Sequence, residues 1–358
     1  MKTMKTMKTM KTIRLLLLSL IIIISGCSKD NPEPIITGNY ENGYFITNEG
    51  AFIGGVGSIS FVDENGIVEN DVFLRNNSFS LGNIVQSMNI INDKVYIVEN
   101  GSGSIKIASK DSIIFITSID VASPRYIEKV SESKAYLTDW ETNAIHVINT
   151  ESDEVIKTIP VGSDPEKIAV VNGKAYICNR GHSQSGPIDN TISVIDVNTD
   201  QIITTISVND KPNSIVIDEN SNIWVLCAGT VDWSNWPTVS TLTPGSLTMI
   251  SGVNNTVEKS FNIESSLMPT DLVVNSSRNT LYYATSDGVN AIDIYSTELP
   301  QNTIIAKDFY ALDYNNGYIY GTDAVDYAQQ GWSYRYTTSG SVVDSVQVGV
   351  IPGGYCFH

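Results

Sequence analysis

A short strand-like motif recurs seven times along the 358-residue chain, and this recurrence restricts the fold more than any other feature. Each copy has an aromatic or large apolar residue at its centre. The seven centres are Phe45, Tyr96, Tyr136, Tyr176, Trp224, Tyr282 and Ile319. Successive centres are 51, 40, 40, 48, 58 and 37 residues apart. Repeats of about 40–50 residues are typical of small sheets arranged around an axis, so a radial array is expected.

Four strands can be drawn within the clearest unit, residues 172–218. They are residues 174–178, 191–196, 201–208 and 213–218, separated by turns rich in Asn, Asp and Gly. Residues 134–171 repeat the scheme, and the sequence after the N-terminus carries no convincing helical period. Four antiparallel strands form one propeller blade, so the sequence predicts an all-β, seven-bladed β-propeller with four-stranded blades.

The C-terminal segment is predicted to close the ring. Residues 342–350 finish the seventh unit, and a Pro-Gly-Gly turn then leads into Tyr355-Cys356-Phe357. We expect this last segment to be the inner strand of the first blade, because closure removes the sheet edges that an open array would expose. A single propeller domain over residues 39–358 follows.

The N-terminus has the features of an export signal. Residues 1–14 are basic, and residues 15–24 are apolar apart from Ser19, a run too short to span a bilayer. The run ends in Ile24-Ser25-Gly26-Cys27, which resembles the lipobox of bacterial lipoproteins. We therefore expect a signal peptide over residues 1–26, then a lipidated Cys27 and a flexible tether over residues 27–38. An ordinary secretory signal with a chance cysteine is the alternative.

The composition excludes several classes of protein. The formal net charge is −17, and the first 26 residues contain five cations and no acid, so a processed chain would be more acidic still. Such a surface repels phosphate backbones, which argues against nucleic-acid binding. With 42% apolar and 17% charged residues, the chain is too apolar to be disordered.

Two repeat segments resemble a known family. Residues 155–165 (VIKTIPVGSDP) and 202–208 (IITTISV) are similar to the YVTN-type repeats of YncE-like seven-bladed β-propellers. The segment Ile46-Thr47-Asn48-Glu49-Gly50 resembles the first blade of lipid-anchored YncE-like proteins of Bacteroidota, and residues 28–34 resemble the export signal of their surface lipoproteins. Within this family, the functional resemblance is to the BtuG-type surface propellers. It implies capture of cobalamin or a related corrinoid for a TonB-dependent, BtuB-like outer-membrane transporter, on the cell exterior.

Long loops after the anchor strands predict a binding face. They include residues 48–57, 180–190, 228–244 and 322–333, and four of the five tryptophans, Trp140, Trp233, Trp236 and Trp332, fall in loops that follow anchor strands. Tyr and Trp combine a large apolar area with a polar group, which suits a ligand of mixed polarity. The predicted ligand-binding residues are Arg125, Tyr126, Trp140, Arg180, His182, Trp233, Trp236, Tyr327, Trp332 and Tyr355. Alternatively, the rings only fill the wide mouth of a propeller.

Sequence signals for catalysis are weak. The chain has no Gly-x-Ser-x-Gly elbow, no phosphate loop and no His-Glu-x-x-His motif, so we expect no enzyme activity, cofactor or metal site. His146 lies in an alternating strand, where a structural role is expected. Cys178, Cys227 and Cys356 are expected to be buried thiols, with one disulfide and one free thiol as the alternative. An adhesin or scaffold, or a propeller enzyme of lactonase or dehydrogenase type, is the competing function.

Overall fold

Antiparallel pairing of short strands rich in β-branched and aromatic residues builds seven blade sheets and one separate two-stranded hairpin within the described residues. The computed structural model describes residues 38–181, 188–232, 234, 239–263 and 269–358. These residues belong to one compact unit, Gly38–His358. The sheets are the blades of a seven-bladed β-propeller, which confirms the predicted fold, and they are numbered here in chain order.

The first three blades follow one another along the chain. Blade 1 contains β1 (Gly43–Asn48), β2 (Ser58–Asp63) and β3 (Val68–Glu69), followed by helix α1 (Val72–Asn77). Blade 2 contains β4 (Val85–Ile91), β5 (Lys94–Glu99), β6 (Ser104–Ser109) and β7 (Phe115–Asp120). Blade 3 contains β8 (Pro124–Ser131), β9 (Lys134–Asp139), β10 (Ala144–Asn149) and β11 (Glu154–Pro160).

The remaining blades are less uniform. Blade 4 contains β12 (Pro165–Val171), β13 (Lys174–Gly181), β14 (Ile188–Asp196) and β15 (Gln201–Ser207). Blade 5 contains β16 (Pro212–Ile217), β17 (Ile223–Cys227), β20 (Gly245–Ile250) and β21 (Val257–Ile263), with a hairpin of β18 (Thr230–Asp232) and β19 (Ser240–Thr243) inserted. Blade 6 contains β22 (Leu272–Val274), β23 (Thr280–Thr285) and β24 (Gly288–Asp293). Blade 7 contains β25 (Ala311–Asn315), β26 (Tyr318–Asp323), β27 (Gln330–Thr337) and β28 (Val342–Val350).

The last strand, β29 (Pro352–Phe357), closes the ring as predicted. It pairs antiparallel with β1, with Tyr355 opposite Ile46 and Phe357 opposite Tyr44. The first blade therefore takes its inner strand from the C-terminus and its other strands from the N-terminal end of the domain.

The predicted grouping of strands into blades is wrong by one strand. Residues 213–218 were assigned to the unit 172–218, but β16 pairs with β17 and is the inner strand of blade 5. Blade 4 takes β12 as its inner strand instead. A repeat has the same period whichever strand is counted first, so the spacing alone does not determine which strands share a sheet.

Apolar side chains of neighbouring blades interdigitate to form the core. The predicted anchors Phe45, Tyr96, Tyr136, Tyr176 and Trp224 are fully buried. Between blades 4 and 5, for example, the side chains of both sheets form one apolar cluster that includes two of the three cysteines. Cys178, Cys227 and Cys356 are all buried free thiols, as expected. Within the described residues, no helix is long and apolar enough to cross a membrane.

Three polar contacts between neighbouring blades repeat at one end of the ring, and we call them latches. In each, a Lys and a Tyr at the start of a second strand reach an Asp or Asn in the outer turn of the next blade. The latches are Lys94 and Tyr96 with Asp153, Lys134 and Tyr136 with Asp200, and Lys174 and Tyr176 with Asn255. Each acceptor residue has a positive φ, between 52° and 57°, which Asp and Asn tolerate better than most residues. This end of the ring is the latch face.

Candidate functional site

The opposite end of the ring, the mouth face, contains a cavity of about 370 Å³ on the axis. Inner strands all run in the same direction along the axis, so their first residues meet at this end. We call this cavity the mouth. Its lining includes Glu49, Gln86, Arg125, Tyr126, Trp140, Glu166, Lys167, Arg180, Asn213, Asp271, Tyr310 and Gly353. Several of these residues also line a narrower channel of about 220 Å³ below the mouth.

Glu166 is the centre of the charge pattern in the mouth. Its carboxylate accepts hydrogen bonds from Arg125 Nη2 at 3.1 and 3.4 Å, and Arg180 Nη1 lies 3.7 Å away. Arg125 also donates to Gln86, and its guanidinium lies 3.8 Å from the centroid of the Trp140 ring. Burial alone would lower the pKa of Arg125, but the charge of the nearby Glu166 carboxylate outweighs this effect and raises the pKa. The Arg125 guanidinium therefore stays positively charged. Two arginines thus share one carboxylate.

A second carboxylate, Glu49, lies on the other side of the mouth. The Tyr310 hydroxyl donates to both of its oxygens at 3.1 Å. Burial raises the pKa of Glu49, and the Tyr310 hydrogen bond and the Arg125 charge oppose this shift. The Tyr310 ring contacts Tyr327 edge to face, with centroids 5.9 Å apart. Tyr327 therefore extends the mouth toward the solvent.

The loop that carries Trp140 is held by Asp139, the last residue of β9. Its carboxylate accepts hydrogen bonds from the backbone N–H groups of Ser123 and Thr142, each at 3.0 Å. Burial raises the pKa of Asp139, but these bonds and His146 outweigh it and lower the pKa to about 2. His146 lies in β10 and also contacts Thr158 at 3.1 Å, a setting consistent with the structural role expected for it.

The channel below the mouth holds a mixture of paired and unpaired acids. Lys167 forms an ion pair with Asp271, and although burial lowers the pKa of Lys167, the Asp271 charge raises it. Burial raises the pKa of Glu128 and of Asp313 to about 7. The channel is thus less acidic at neutral pH than its composition suggests.

The structure brings part of the predicted set together. Arg125, Tyr126, Trp140 and Arg180 line the mouth, Tyr327 borders it through Tyr310, and Tyr355 lines the channel with its hydroxyl 2.9 Å from Ser333. Trp332 was expected in a loop but lies in β27, opposite Asp323 and Gln347, and lines neither the mouth nor the channel. His182, Trp233, Trp236 and the predicted lipidation site Cys27 lie outside the described residues.

Sequence reasoning missed the acidic partners Glu49, Glu166 and Asp271. A signal for such residues exists, because Pro124, Pro165 and Pro212 each begin an inner strand and the next residues face the mouth. Aligning the repeats on these prolines would have found Glu166, which directly follows Pro165.

Exposed apolar side chains surround the mouth face. Phe52 is 53% exposed, Ile53 is 96% exposed and Tyr327 is 50% exposed, all in loops between second and third strands. Leu242, in the hairpin of blade 5, is 66% exposed. Grouped exposed apolar residues indicate a contact surface. Among the described residues, no group of three or more His, Cys, Asp or Glu side chains is arranged to hold a metal ion.

Fold and sequence together define the class as a seven-bladed propeller with a charged, aromatic mouth. The chain belongs to the family described as Domain of unknown function (DUF5074), whose model matches residues 42–345. A comparison with curated proteins gave no match. The family supports a propeller, while the finer YncE-like and BtuG-type resemblance stays a prediction.

Solved structures with the same fold are distant in sequence. A functionally unknown protein from Desulfotomaculum acetoxidans DSM 771 is 13% identical with a TM-score of 0.65, over 88% of this chain and 98% of that chain. Hydrazine synthase of Kuenenia stuttgartiensis is 13% identical with a TM-score of 0.58, over 75% and 88%. Apo AztD from Citrobacter koseri is 10% identical with a TM-score of 0.55, over 88% and 97%. At these identities the likeness shows the fold alone.

Proposed function

We propose that the protein is a binding protein whose mouth captures a large polar small molecule without converting it chemically. The observation that carries this proposal is the sharing of one carboxylate, Glu166, by Arg125 and Arg180. The two arginines place hydrogen-bond donors at the mouth of a chain whose net charge is −17, and Glu166 and Glu49 balance their charge. A ligand with carbonyl, carboxylate or phosphate oxygens would be attracted there.

One further cation, Lys211, lies close to the arginines, since burial and then the charge of Arg180 lower its pKa. The rings of Trp140 and Tyr126 lie against the Arg125 guanidinium. Phe52 and Tyr327 provide exposed apolar area at the entrance. A mouth of this kind suits a molecule with polar groups around an apolar body.

A corrinoid is the first candidate ligand. Cobalamin has amides and a phosphodiester around an extended ring, which matches a wide mouth that offers cations, amides and aromatic rings. In this proposal Cys27 is lipidated, the protein is anchored at the outer membrane facing the exterior, and a TonB-dependent transporter receives the ligand. The lipobox-like segment and the exposed Ile53 and Leu242 near the mouth support the anchor and a protein contact.

Calorimetric titration with cyanocobalamin, with heme in parallel, tests the proposal. We expect one-to-one binding of the corrinoid and recovery of unchanged ligand. Phe52→Ala combined with Tyr327→Ala should weaken binding about tenfold or more, because apolar contact area at the entrance is lost. Both side chains are exposed, so the melting temperature should not change. Tyr295→Ala is the matched control, since Tyr295 is 63% exposed and lines neither the mouth nor the channel.

A surface scaffold or adhesin is the second candidate. The 96% exposure of Ile53 favours a protein partner on the mouth face. Absence of heat and of a melting shift with both cyanocobalamin and heme would contradict the small-molecule proposal. A protein captured through Ile53 would then support the scaffold.

A further inference from the structure

A cavity of about 620 Å³ lies away from the mouth, between blades 5 and 6. Within the described residues blade 6 has three strands, and the chain after β24 pairs with its outer edge through an isolated bridge between Val289 and Ile305. The space is enclosed by β21 of blade 5, by β23 and β24, and by residues 297–303. We call it the blade 5–6 cleft. It shares no lining residue with the mouth.

Two polar side chains of low exposure, Tyr283 and Asn290, line this cleft. They are opposite each other in the β23–β24 pair, and they are 2% and 8% exposed. A hydroxyl and an amide that line a cavity can exchange hydrogen bonds with a ligand. Burial raises the pKa of Tyr283 to about 12, so its hydroxyl remains a donor at neutral pH. These groups are placed to bind a ligand.

The rest of the lining restricts the class of ligand. It includes further hydroxyls and amides, such as Asn262 and Gln301, together with the acids Asp287 and Glu298. Among the described residues the lining contains no Lys, Arg or His, so an anionic ligand would meet the negative charge of Asp287 and Glu298 there. Phe261 and Leu299 supply apolar surface. Hydroxyl and amide partners beside apolar surface, without a cation, suit a neutral sugar.

We propose that the blade 5–6 cleft binds a neutral saccharide. Its volume lies within the roughly 300–1,000 Å³ of typical ligand pockets. Because the cleft and the mouth have separate linings, the saccharide site does not depend on what the mouth binds.

Titration with maltotriose, cellotriose, xylotriose, mannotriose and chitotriose tests this proposal, by calorimetry and by saturation-transfer NMR. We expect one-to-one binding of at least one of these probes. Tyr283→Phe removes only the hydroxyl and should weaken that binding about three- to tenfold, and Asn290→Leu should weaken it similarly. Melting curves check that each variant is folded, and the Phe variant keeps the ring that packs in the core.

Tyr282→Phe is the matched control. Tyr282 is the neighbouring residue on β23 and faces the other side of the sheet, where its ring stacks on Tyr314 with centroids 5.7 Å apart. Saccharide binding should be unchanged in this variant, and binding at the mouth should be unchanged in all three. Failure of every probe to bind would overturn the proposal, as would equal losses in Tyr282→Phe and Tyr283→Phe. Occupation of the cleft by an extended peptide that completes blade 6 would overturn it as well.

Discussion

The two faces of the ring use polar side chains in different ways. On the latch face, Asp200 accepts from both Lys134 and Tyr136, and the same arrangement recurs in the neighbouring blades. On the mouth face, the Nε atoms of Arg125 and Arg180 are buried without a hydrogen-bond partner among the described residues. The latch face therefore contributes to the stability of the ring, whereas the mouth face holds polar groups that the fold leaves incompletely paired.

This difference separates stability from recognition within one fold. A buried polar atom without a partner lowers the free energy of unfolding by about 1–3 kcal/mol, so groups of this kind persist where another role requires them. The latches repeat with the sequence period, but the residues of the mouth differ from blade to blade. Variants should therefore affect stability through one face and binding through the other.

Removal of residues 353–358 should have the largest effect, because it damages both faces at once. These residues form most of β29, the inner strand of blade 1, and Tyr355 and Phe357 pack against Tyr44 and Tyr320. Loss of the strand opens the ring and exposes the edge of β1. We expect low soluble yield and no cooperative thermal transition by circular dichroism. Removal of His358 alone is the control and should preserve the transition; a wild-type melting curve for the longer truncation would contradict ring closure.

Asp200→Ala should destabilise the latch face without changing the mouth. It leaves the ammonium of Lys134, whose side chain is 16% exposed, without its carboxylate. We expect the free energy of unfolding in urea to fall by about 2–3 kcal/mol. Asp200→Asn should lower it by only about 1 kcal/mol, because Asn255 performs the same role in the next latch. Binding at the mouth should be unchanged in both variants, and a weakened affinity with an intact fold would show that the faces are coupled.

The sequence predicted the repeated part of the molecule well. Strand positions and ring closure follow from local apolar patterns and turn residues, which are the same in most blades. Within the described residues blade 6 has three strands instead of the predicted four, and Pro300 in that region cannot donate a hydrogen bond to a sheet. The strand with Trp332 was assigned to a loop, although the aromatic residues Trp332, Tyr334 and Tyr336 alternate along β27.

The candidate site was harder to predict because its residues are distant in sequence. The sequence predicted Arg125 and Arg180 as ligand-binding residues because each is a single cation near aromatic residues. Their shared partner Glu166 is adjacent to neither in sequence, and only the ring geometry brings the three together. Contacts between inner strands depend on which strands share a blade, and the repeat spacing left that undetermined.

Glu128→Gln should have a pH-dependent effect on the channel below the mouth. Burial raises the pKa of Glu128 from its ordinary value of 4.5 to about 7 in the folded protein. Between pH 4.5 and 7 the folded protein therefore keeps a proton that the unfolded chain has released. Because of this difference, wild-type stability falls as the pH rises from about 4.5 to 7. The variant has no such proton, so at pH 8 we expect it to be about 3 kcal/mol more stable than wild type, and equal near pH 4.5.

Urea denaturation at pH 5, 6, 7 and 8 measures this difference directly. Glu132→Gln is the matched control, since the Glu132 side chain is 91% exposed and its ion pair with Lys129 lies at the surface. Its stability should follow that of wild type at every pH. If Glu128→Gln is instead less stable than wild type at high pH, Glu128 is ionised and paired in the folded state. The channel would then resemble the latch face, where charges are paired, rather than the mouth.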